Sequence, residues 1–93
     1  MASVVSLVYG DERYLNIRGA LDLTRDAIRK SFNRKRRVLI KPNLVSTSRQ
    51  LASTHVDAVK AVLDFLIEFN PSEVVIAEGS AGDTSSAYSN FGY

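Results

Sequence analysis

Two short runs of consecutive apolar residues constrain this chain more than any other feature. They are Val38, Leu39, Ile40 and then Val74, Val75, Ile76, Ala77. Neither run alternates with polar residues. A strand of that kind is buried on both faces, as the strands of parallel sheets are. Pro42 ends the first run, because it has no N–H to donate to a ladder. Residues 37–41 and 73–78 are therefore read as strands. Residues 3–9 are rich in valine, are broken by Gly10 and Asp11, and are read as a third.

Helical patterns separate these runs. Ile17, Leu21, Thr24, Ile28 and Phe32 recur at three-to-four spacing, which predicts one helix over 14–32. Val59, Val62, Leu63 and Leu66 form a second stripe. Thr54 stands as its N-cap, with Asp57 three residues on, and Asn70 and Pro71 stop it. A short third helix is predicted over 84–90. Strands that alternate with helices of this length pair in parallel through crossovers. The fold class is thus α/β: a small parallel three-stranded sheet with helices on its faces, β-α-β-α-β-α, part of a doubly wound domain. Residues 1–93 are read as a single α/β domain, the N-terminal portion of a larger one.

Composition narrows the chemistry by exclusion. The chain has no cysteine, so it offers no disulfide, no thiolate nucleophile and no cysteine ligand for an iron–sulfur cluster. Its opening, MASVVSLVYGDE, has no positive leader, and no apolar run approaches the ~20 residues of a membrane span. A soluble, cytoplasmic protein with no membrane partner is expected. The formal net charge is +2, but Arg29, Lys30, Arg34, Lys35, Arg36 and Arg37 crowd one helix end and the turn after it. No aromatic residue is interleaved in residues 34–37. That run suits a solvated helix C-terminus more than it suits nucleic acid.

The connection between the second strand and its helix is the odd feature. Such loops usually run about 2–6 residues, and this one takes roughly ten. It lies at the carboxyl end of a parallel strand, where open α/β sheets bind ligands. Residues 10–13 and 78–86 occupy the other strand ends. Lys41 is the last strand residue, held extended by Pro42. It can neutralise a phosphate or carboxylate, or simply reach solvent. Asn43 can hold the loop or touch a ligand. The helix start at Thr54 offers N–H groups to an anion. His55, the chain's one histidine, is a candidate proton carrier or else a packed ring. Gly79 and Ser80 belong to GSAGDTSS, which lacks the lysine of a Walker A loop. Glu78 and Asp83 beside a bare phosphate would repel it. With a divalent cation such as magnesium between them, the charges balance. A glycine turn with Asp83 as helix cap is the plainer alternative.

VLIKPNLVS, then THVDAVKAVLDFL, then VVIAEGSAGDTSSAYSNFGY resembles the opening of the domain-of-unknown-function 362 family. The resemblance spans essentially the whole chain. It marks Lys41, Pro42, Asn43, Thr54, His55, Glu78, Gly79 and Ser80 as motif positions. It also implies that relatives are longer and that many are labelled iron–sulfur proteins. A chain without cysteine cannot carry that role. The leading expectation is a domain binding a small anionic ligand, with a divalent metal at Glu78 and Asp83, and His55 as proton carrier if it is catalytic. The rival is a non-catalytic interaction module that forms a homo-oligomer through its sheet edges or meets a redox partner.

Overall fold

The computed structural model describes residues 3–32, 36–44, 48–78 and 92. Helix α1 spans Arg13–Leu23 and α2 spans Arg25–Ser31. Strand β1 spans Arg37–Ile40. A 3-10 turn, Gln50–Ala52, leads into α3, Val56–Ile67, and β2 spans Glu73–Ile76. β1 and β2 pair in parallel, with Arg37 opposite Glu73 and Ile40 opposite Ile76. Ser72 N donates to Arg36 O at 3.3 Å and Ala77 N to Ile40 O at 3.0 Å, so the ladder runs past both strand ends. Two parallel neighbours cannot be joined by a hairpin, and α3 supplies the crossover. The mixed helix-and-strand class and the parallel pairing agree with the sequence reading.

Among the described residues the sheet has two strands, where three were expected. Residues 3–9 form neither helix nor strand and join no ladder among the described residues. Val5, Leu7 and Tyr9 are 88%, 90% and 99% exposed. Local contacts draw this segment onto α1. Ser6 Oγ donates to Ala20 O at 2.8 Å, and Val8 lies 3.6 Å from where a Cβ on Gly19 would sit. High strand propensity alone does not make a strand, because it depends on packing against cross-strand and same-face neighbours. The helix expected over 84–90 lies outside the described residues.

The single helix expected over 14–32 is two. Thr24 separates them, with φ −107° and ψ 11°. Its backbone N and its Oγ1 both bond Leu21 O, at 3.0 Å each. A hydroxyl that bonds the preceding turn competes with the helical ladder. Ile28 N then donates to Thr24 O at 3.1 Å and the helix resumes.

Among the described residues the buried apolar side chains are Ile40, Leu44, Val59, Ala61 and Phe65. α3 provides three of the five. Its buried positions, Val59, Ala61 and Phe65, shift the expected stripe, and Val62, Leu63 and Leu66 are only half-buried. The reason is that α1 covers the flank of α3 read as its wet face. Tyr14 Oη donates to Asp64 Oδ2 at 2.5 Å. Arg18 pairs with Glu68, and Arg25 Nη1 lies 3.0 Å from Glu68 Oε1. These guanidiniums, Arg18 first, hold the Glu68 carboxyl below the usual carboxylate range. Arg25 also sits 5.0 Å over the Phe65 ring. Phe65, Phe69 and Phe32 continue the seam, each successive pair of rings 5.2 Å apart. Asn70, at φ 53°, takes the left-handed turn that ends the helix before Pro71.

Candidate functional site

The parallel register carries both strands to the same rim. Lys41 follows β1 directly, and Glu78 comes two residues after β2. Lys41 Nζ meets Glu78 Oε2 at 2.5 Å. The lysine side chain is 65% exposed and the glutamate side chain 15%. The carboxylate is thus the inner member of the pair and the ammonium its outer cover.

The long connection is closed on itself, which answers why it takes so many residues. Asn43 N donates to Thr54 Oγ1 at 2.8 Å, and Thr54 N donates to Asn43 O at 2.7 Å. Leu44 and Ser53 form an antiparallel bridge beside them. Leu44, 1% exposed, plugs the loop into the core, and Pro42 is buried next to it. Lys41 therefore stands on a short anchored segment, not on a free loop.

This clasp reassigns two expected roles. Thr54 is not the cap of α3, because its hydroxyl serves Asn43. His55 is the N-cap, and its Nδ1 accepts from Asp57 N at 3.0 Å. A ring that accepts at Nδ1 and is neutral carries its proton on Nε2. The lone pair that a base or metal ligand needs at Nδ1 is in use.

His55 lines a cavity together with Arg13, a residue that spacing alone does not join to it. The cavity, of about 340 Å³, lies between α1 and the start of α3, lined by Arg13, Ile17, Leu51, Thr54, His55 and Ala58 among others. The sequence pattern places residues 10–13 at a strand end. They reach this cavity through the first residue of α1 instead. Nothing local in the sequence links Arg13 to His55, because their sharing of one cavity depends on α1 packing against α3.

The structure thus brings Lys41 to Glu78 and Asn43 to Thr54. Gly79, Ser80 and Asp83 lie outside the described residues. Among the described residues no three histidine or acidic side chains gather as a metal cluster. No helix there is long and apolar enough to cross a membrane.

A family model described as Domain of unknown function (DUF362) matches residues 38–93. The chain belongs to this family. The match begins in β1 and takes in the rim, the clasped loop and α3. Segment 3–9, α1 and α2 lie outside it, although the resemblance read from sequence had extended over them. No curated protein and no solved structure matches the chain.

Proposed function

We propose that this DUF362 domain binds a small oxyanion, phosphate or carboxylate, together with a divalent cation at the rim where Lys41 meets Glu78. The observation that supports this reading is the 2.5 Å contact between opposite charges at the carboxyl ends of adjacent parallel strands. That rim is where open α/β sheets seat ligands. The lysine contributes a point charge for the anion. The glutamate contributes a hard oxygen for the cation, which keeps most of its waters as magnesium does. Asp83 is the second carboxylate of this reading, and Gly79 and Ser80 complete the anion's surroundings. Thr54 and Asn43 hold Lys41 in place, and His55 is the proton carrier of this reading if turnover occurs, acting through its Nε2–H because Nδ1 accepts from Asp57 N. Magnesium phosphate added to the labelled protein is expected to move the backbone amide resonances of Lys41, Asn43 and Glu78. Lys41→Ala is expected to abolish the part of those shifts that phosphate adds over magnesium chloride alone. Shifts that are absent in the native protein, or that persist unchanged in the variant, would remove the proposal.

A second reading is favoured by residues 3–9, whose exposed valines lie on a molecule with an unpaired outer edge on β1 among the described residues. In this reading the segment adds a third strand, within a doubly wound domain or between copies of the chain. A sedimentation coefficient that does not change with concentration would end the version between copies.

A further inference from the structure

The Lys41–Glu78 contact has a consequence for the order in which ligands bind. Opposite charges in contact screen each other, so the rim as it stands offers neither a bare cation to an anion nor a bare carboxylate to a metal. The ammonium sits where a cation on Glu78 would sit, and its larger exposure makes it the partner free to leave. We infer that the two ligands bind by exchange of this ion pair. A divalent cation takes Glu78 Oε2, and the displaced Lys41 ammonium turns to the oxyanion. Each ligand thereby removes the other's competitor, so their affinities rise together. Linkage makes the effect reciprocal, and couplings of this kind run about 5–150-fold. This inference rests on the reading proposed above, but it makes separate demands. It requires that removing either charge act with opposite sign on the two ligands.

Isothermal titration of the full chain with inorganic phosphate, with and without saturating magnesium chloride, reads the coupling. Native protein is expected to bind phosphate at least ~5-fold more tightly with magnesium present. Glu78→Gln is expected to bind phosphate more tightly than native protein when magnesium is absent, and to gain nothing when it is added. Lys41→Ala is expected to lose phosphate binding while binding magnesium more tightly than native protein does. A merely structural role for the pair would not produce that gain. Equal phosphate affinity with and without magnesium would overturn the exchange and leave the site standing. No phosphate binding in either condition would overturn both.

Discussion

Phe65→Ala is expected to leave the protein largely unfolded at room temperature. Phe65 is 1% exposed and is one of five buried apolar residues among those described. Truncating a buried phenylalanine costs about 3–5 kcal/mol, from lost transfer energy and the cavity left behind. Small domains have about 5–15 kcal/mol in total, and a chain this short sits low in that range. The ring also carries contacts that area alone does not count. It meets Phe69 edge-on at 5.2 Å and supports the Arg25 guanidinium at 5.0 Å. Removing it loosens the α1–α3 seam as well as the core. Urea unfolding followed by circular dichroism reads the result. A midpoint close to the native one would mean that α1 and α3 do not pack through this ring.

Leu44→Ala is expected to cost about 2–5 kcal/mol, as large-to-small core changes of this type do. The size of the effect is unusual for its location, because Leu44 belongs to a connection and not to a helix or strand. Connections normally tolerate change, since they run over the surface. This one does not, because Leu44 is 1% exposed and bridges Ser53. A second readout separates the clasp from general destabilisation. Amide exchange at Thr54, whose N–H is bonded to Asn43 O, should accelerate more than exchange in the middle of α3. A cost under about 1 kcal/mol with unchanged protection at Thr54 would show that the loop is not anchored by this side chain.

The particular residues show which parts of the molecule local sequence could reveal. The runs at 38–40 and 74–77 announced parallel strands, and they are paired as such with Ile40 opposite Ile76. Two unbroken apolar runs carry that information locally. Lys41 and Glu78 were expected at one rim, and they touch there. Their meeting follows from parallel direction alone, so it too could be reasoned from strand ends. What escaped depends on competition between alternatives. Thr24 splits a helix because its hydroxyl finds Leu21 O, and periodicity does not weigh that bond. Thr54 looked like a cap by residue type, yet His55 is the cap because the Asn43 amide claims the threonine hydroxyl. Ala61 and Phe65 joined the core because α1 lies against α3, a long-range fact with no local signature. Residues 3–9 have strand composition without a strand, since pairing needs a partner that composition cannot specify.

The central claim is that Lys41 and Glu78 share one rim, and proximity labelling tests it without any ligand. The chain has no cysteine, so introduced thiols have no background. Lys41→Cys with Glu78→Cys, treated with the shortest bifunctional thiol reagent, is expected to cross-link within the monomer. Arg37→Cys with Glu78→Cys is the control, because residue 37 lies about 13 Å farther back along the strand. Closure of the first pair and not the second is the predicted result. Cross-linking in the control alone, or equally in both, would contradict the parallel register on which the proposed site depends.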